Sequence, residues 1–252
     1  MARRARKRSS TGIYHIILRG INRQIIFEDD EDCQRLLGAL KQYREDGGYE
    51  IYAYCLMSNH IHLLFKEGEE DLGITFRRLG ASYVYWYNRK YNRSGYLFQG
   101  RYKSEAVESD AYFLTVLRYI HQNPLKARIV NNIADYSWSS YREYIGRPRI
   151  CNTEFALSLF SEDRAKAVKL FEEFNLTENK DQCLEYDQNR RLNDIEAINF
   201  IKSISGIQGS LEIQGLEKKV RDDIIKKCKA QGLSIRQIER LTGVSFGVIR
   251  RI

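Results

Sequence analysis

The chain lacks any apolar run near the roughly 18–20 residues that a bilayer-crossing helix needs, because charges interrupt every candidate. It also lacks an apolar leader. Met1 to Arg8 carries five basic residues and is followed by the polar Ser9-Ser10-Thr11-Gly12, so a basic arm is expected rather than a secretory signal. Cysteine is sparse and scattered. Cys33, Cys55, Cys151, Cys183 and Cys228 form no C-x-x-C pair, which leaves neither a zinc ribbon nor a redox motif, and an odd number cannot all pair within one chain. Free thiols are the reading. No internal repeat or low-complexity tract interrupts the 252 residues. With 43% hydrophobic and 29% charged residues, these absences point to a cytoplasmic globular protein of one or two domains with no membrane partner.

What is present in excess is positive charge, +8 net with a pI near 9.2, which argues for a polyanionic partner without choosing among DNA, RNA and anionic membrane. Its distribution is more informative. Residues 1–149 carry +7, residues 150–215 carry −5 and residues 216–252 carry +6. Two basic ends around an acidic middle are expected if both ends meet nucleic acid.

Periodicity divides the chain accordingly. Ile13 to Leu18 alternates with period two, as a strand does. Asp29 to Arg44 reads as a helix stopped by Gly47-Gly48, with Cys33, Leu36, Leu37 and Leu40 on one face. Strands follow over Ile51–Met57 and His60–Phe65, broken by Ser58-Asn59. Leu72 to Tyr91 is a helix, Tyr96 to Val107 one strand or a strand pair, and Asp110 to Asn123 a helix ended by Pro124. The fold class expected is α+β, an antiparallel sheet with packed helices over residues 1–148. Residues 149–215 read as a helical acidic connector. Residues 216–252 read as a helix-turn-helix, with Ser234-Ile235-Arg236-Gln237 as a capping box, Gly243 as the turn and Ser245 as the cap of a last helix.

Two segments carry chemistry. In Met57-Ser58-Asn59-His60-Ile61-His62, side chains two apart on a strand share a face, so His60 and His62 point together. Paired imidazoles can hold a divalent metal, though two of four histidines are equally consistent with ordinary sheet positions. In Tyr119-Ile120-His121-Gln122-Asn123-Pro124, Tyr119 and Asn123 lie one helical turn apart on one face, while His121 points about 200° away. Among 17 tyrosines, such a residue is more often core than nucleophile.

Together with Tyr14-His15-Ile16-Ile17-Leu18-Arg19-Gly20, Asn22-Arg23 and Tyr136-Ser137-Trp138-Ser139-Ser140-Tyr141, these segments cover about half the chain in one order. In that order they resemble the HUH-type single-tyrosine (IS200-like) transposases, in particular the branch associated with repetitive extragenic palindromes (REPs). The resemblance implies a ferredoxin-like or RRM-like nuclease fold, with His60 and His62 as metal ligands and Tyr119 as nucleophile. The family's third ligand is a glutamine, and Asn123 stands in its place one methylene shorter. His15 falls in a matching segment but is read as structural or supporting.

The implied function is cleavage and transfer of single-stranded or hairpin DNA through a 5′-phosphotyrosine, assisted by Mg²⁺ or Mn²⁺, in a monomer or a homodimer. Arg101, Lys103, Arg118, Arg236, Arg250 and Arg251 are the expected DNA-contacting cations. The competing class is a non-catalytic DNA- or RNA-binding regulator derived from such an enzyme.

Overall fold

The computed structural model describes residues 7–185, 192 and 194–252, which divide into one compact unit ending at Glu185 and a second running from there to Ile252. In the first unit, strands β1 (Ile13–Arg19), β2 (Glu50–Met57), β3 (His60–Lys66) and β4 (Lys103–Ala106) form an antiparallel sheet in the order β2-β3-β1-β4. Central β1 and β3 are buried on both faces, so their alternation sorts side chains between two cores rather than between core and water. Tyr14, Ile16, Leu18, Ile61, Leu63 and Phe65 face one way, against helices α1 (Asp30–Gly47) and α2 (Leu72–Lys90). Ile13, Leu64 and Cys55 face the other way, against α3 (Asp110–Lys126).

Local chemistry sets the element ends. Asp29 caps α1 by accepting from Asp32 N, Asp32 reciprocates, and the helix stops where Gly48 takes φ +63°. Ser109 caps α3 through Tyr112 N. Pro124 does not end α3, as expected from sequence. It sits within the last turn, where Ala127 N still reaches Asn123 O, because a proline ring tolerates helical φ and removes only one bond of the ladder. The expected strand over 96–107 is shorter than its alternation suggests. Only Lys103–Ala106 pairs along β1, and the preceding segment touches the sheet through the single bridge Gly20–Phe98.

The acidic stretch 149–215 is divided rather than forming one connector. After α4 (Tyr141–Ile145), which precedes this stretch and buries Tyr144, helices α5 (Thr153–Ser158) and α6 (Arg164–Leu176) place Leu157 and Phe171 in the core beneath α3. In the second unit, α7 (Asp194–Ser205) shares a core with α8 (Lys218–Ala230), α9 (Ile235–Thr242) and α10 (Phe246–Arg251), built on Ala197, Ile201, Ile225, Ile238 and Ile249. The expected capping box at α9 is half formed. Ser234 Oγ accepts from Gln237 N, but the Gln237 amide donates to Leu192 O and Asp194 Oδ1 instead of returning to the cap. Ser245 makes no cap. Phe246 N donates to Glu239 Oε1, which reaches it first from α9.

Candidate functional site

Where β1 and β3 run side by side, the pairs Ile17–His62 and Arg19–His60 lie opposite one another. Side chains from β1 and β3 on the α3 face therefore include His15, His60 and His62. The His15 and His62 rings stack with centroids 5.2 Å apart, and His15 Nε2 lies 3.0 Å from His62 Nδ1. His60 meets His62 edge-on at 5.0 Å. From the opposite side α3 delivers Tyr119, whose ring centroid is 5.8 Å from those of both His15 and His62. Three imidazoles and one phenol thus form a contiguous ring cluster between sheet and helix.

Burial sets the protonation of this cluster. It lowers His15 to a pKa of about 3. His60 falls to about 4, through burial first and the Arg19 charge second, with Glu185 partly offsetting both. His62 is driven well below the usual imidazole value by burial and by its two histidine neighbours. All three are neutral near pH 7, as metal ligation by nitrogen requires. Asn59 Oδ1, which can only accept, lies 2.7 Å from His60 Nδ1, so the His60 proton sits on Nδ1 and Nε2 keeps its lone pair. The His15–His62 contact has two tautomers. When His62 Nδ1 donates to His15, the His62 Nε2 lone pair is free as well; when His15 donates, it is not. His15 Nδ1 meets no partner in either.

Tyr119 is only 4% exposed, and its hydroxyl donates to Glu185 Oε1 at 2.6 Å. Burial raises the phenol's pKa first, and the adjacent carboxylate raises it further. Glu185 is the last described residue of the stretch that follows α6 and lies along α3. Asn175 O and Thr177 O accept from the Gln122 amide, Asn179 donates to Gln122 Oε1, and Leu184 N donates to Glu105 Oε2.

Among the described residues no group of three or more His, Cys, Asp or Glu side chains is disposed to hold a metal ion. The donor chemistry nevertheless suits one in part, since two neutral imidazoles meet at one point and His60 is held through Nδ1, as ligating histidines usually are.

The family described as IS200-like transposases matches residues 8–123, a span that contains His15, His60, His62 and Tyr119. Residues 8–123 are similar to the IS200-like transposases. Among curated relatives, a REP-associated tyrosine transposase from Haemophilus influenzae is 30% identical over 115 residues, 41% of this chain and 65% of the relative. One from Escherichia coli is 22% identical over 116 residues, 45% of this chain and 67% of the relative. The match thus spans just under two thirds of the first relative. A solved REP-associated tyrosine transposase bound to a REP hairpin shares the fold, with a TM-score of 0.51 and 20% identity, covering 58% of this chain and 87% of that one.

Within the matched segment, His60 and His62 share a face as their spacing predicts, and Tyr119 packs on His62 from α3. Asn123 follows Tyr119 on the same helix face, and its amide donates back to Tyr119 O at 3.0 Å. His121 points away into the core, between Ser140 and Asn175. The expected cations separate into groups. Arg118 is a correction: it grips Asp181 with two bonds and lies 4.1 Å over the Phe174 ring, so its charge is engaged within the fold rather than offered to phosphate. Lys103 is half-buried beside β1. Arg101 is exposed in the segment before β4, and Arg236, Arg250 and Arg251 are exposed on α9 and α10. His15, read from sequence as structural or supporting, stacks on His62 through the pairing of β1 with β3. One residue of the cluster escaped the sequence reading. Glu185 lies 66 residues beyond Tyr119 in a stretch without periodicity, where no signal points to it.

Proposed function

We propose that the protein cleaves and rejoins single-stranded or hairpin DNA, with Tyr119 as nucleophile and a 5′-phosphotyrosine as intermediate. The observation that carries this reading is the packing of the Tyr119 ring against the His15–His62 pair inside the family-matched segment. His60 and His62 would hold a divalent cation through Nε2, with Asn123 or the substrate supplying further oxygens. Such an ion, Mg²⁺ or Mn²⁺, polarises a phosphate and offsets charge developing on it. Tyr119 Oη attacks phosphorus and the 3′-oxygen leaves. Glu185 Oε1, already accepting the phenolic hydrogen, receives the proton that the attack releases. The phosphotyrosine keeps the bond energy, so the strand can be rejoined without ATP. Tyr119 packs on the His15–His62 pair of its own chain, which supports action in cis. The basic helices α8 to α10 read as a helix-turn-helix that adds duplex affinity, with Arg236, Arg250 and Arg251 facing DNA.

A second reading, a DNA-binding regulator without activity, is favoured by the near-complete burial of Tyr119 and its bond to Glu185. Incubation with labelled hairpin oligonucleotides and Mn²⁺, followed by a denaturing gel, separates the two. The transferase yields a protein-linked oligonucleotide that disappears in Tyr119→Phe. No adduct from the wild-type protein would leave the regulator.

A further inference from the structure

On the opposite face of the sheet, between α2 and the segment leading into β4, lies a cavity of about 620 Å³. Phe76, Val84 and Leu97 give it apolar walls, and Leu18 reaches it from β1. The α2 side is open because Gly80 and Ala81 carry little or no side chain, and a Cβ built on Gly80 meets nothing within 4 Å. At the mouth stands Tyr96, 84% exposed, an aromatic ring with no hydrogen bond or ring contact among the described residues. Arg77 and Arg101 flank it, both exposed and without an ion pair among the described residues. The acid in the lining, Asp71, is occupied in capping α2 through Gly73 N.

An apolar slot, a loose aromatic ring and two unneutralised guanidiniums match the face, the stacking surface and the phosphates of an unpaired nucleotide. We infer that this cavity takes a nucleobase flipped from the DNA strand, with Tyr96 stacking on it and Arg77 and Arg101 on the flanking phosphates. The inference rests on the DNA-transferase reading and extends it to a second point of contact. Its position supports that role. Leu18 lines the cavity while the next residue, Arg19, lies opposite His60 on the other face. The segment 97–99 is tied to the same end of β1 by Gln99 N to Arg19 O and Ile21 N to Leu97 O. A strand passing over this end of the sheet reaches both the cavity and the histidine cluster.

The test uses the full chain and a hairpin oligonucleotide with single-stranded flanks, read by fluorescence anisotropy. Gly80→Leu fills the slot with a residue suited to helix, and Tyr96→Ala removes the stack. Each is expected to weaken binding about fivefold or more, the low end for one lost base–aromatic stack, without changing adduct yield at saturating DNA. Replacing one flank nucleotide by an abasic residue should cost the wild type a similar factor and cost Tyr96→Ala nothing more. Arg77→Gln with Arg101→Gln should lower the salt slope by about 1.4, at about 0.7 per single-strand phosphate. Unchanged affinity in Gly80→Leu and Tyr96→Ala overturns the inference, as does an equal loss on blunt duplex. So does a shift from dimer to monomer in Gly80→Leu, which would make the cavity a contact between copies. Failure of the catalytic reading is separate: no adduct from the wild type, while these affinity losses persist.

Discussion

The hydroxyl of Tyr119 and the carboxylate of Glu185 meet at 2.6 Å although 66 residues separate them. Neither residue's own helix or strand creates the contact. It exists because the chain, after leaving α6, returns along α3 and is fastened there by Arg118 to Asp181. The phenol is thereby held neutral and aimed at a proton acceptor beside His60.

Substituting Glu185→Gln keeps the shape and removes the acceptor. Adduct formation at neutral pH is expected to fall about 100-fold, within the range for loss of one general base. The Tyr119 pKa should also move down toward its ordinary value, since the carboxylate that opposes ionisation is gone, although burial still holds it up. Fluorotyrosine NMR at position 119 measures the second effect. An unchanged rate would take Glu185 off the proton path.

His15→Ala removes the partner of His62 Nδ1 and frees the imidazole to rotate. Mn²⁺ affinity, measured by electron paramagnetic resonance without DNA, should weaken about 10- to 100-fold, as for other supports of ligating histidines. Equal affinity in the variant would make His15 a packing residue only.

The buried histidines couple folding to acid. His15, His60 and His121 hold folded-state pKa values of about 3, 4 and 3 against 6.5 when unfolded. Above pH 6.5 both states are neutral and the histidines contribute no pH dependence. Below it the unfolded chain binds protons that the folded chain refuses, so stability falls with pH down to the folded values. Each contributes a slope of about 1.4 kcal/mol per pH unit in that window. Urea midpoints from pH 7.5 to 4.5 should therefore drop steeply, and a flat profile would contradict the burial of these rings.

Arg118→Gln distinguishes a structural cation from a DNA contact. With the Asp181 pair broken in a site only 12% and 14% exposed, stability should fall by about 1–3 kcal/mol. The salt slope of DNA binding should not change. A lower slope with unchanged stability would restore Arg118 to the DNA surface.

Truncation should respect the observed units. A chain ending at Glu185 is expected to stay folded and to form adduct at high DNA concentration, with weaker binding. Ending at Gly215 instead strips Ala197, Ile201 and Ile213 of the helices that bury them, so this form should aggregate. Size-exclusion chromatography of the two forms decides the matter.

The sheet, its flanking helices and the shared face of His60 and His62 were legible from residues alone, because alternation and 3.6-residue spacing are properties of neighbouring positions. Pro124 misled because one lost hydrogen bond at a helix end is tolerated, and Tyr96 to Val107 misled because alternation cannot reveal which stretch finds a pairing edge. The acidic stretch was read as a connector since its helices carry no signal naming the unit they pack on. What sequence by itself determined was therefore the local order: which segments are strands and helices, which residues share a face, and the family that residues 8–123 resemble. Tertiary structure alone decided that His15 stacks on His62, that Glu185 holds Tyr119, and that Arg118 is engaged by Asp181. Each of those contacts closes a long loop, and its partner is selected by packing of whole layers rather than by any pattern in the intervening residues.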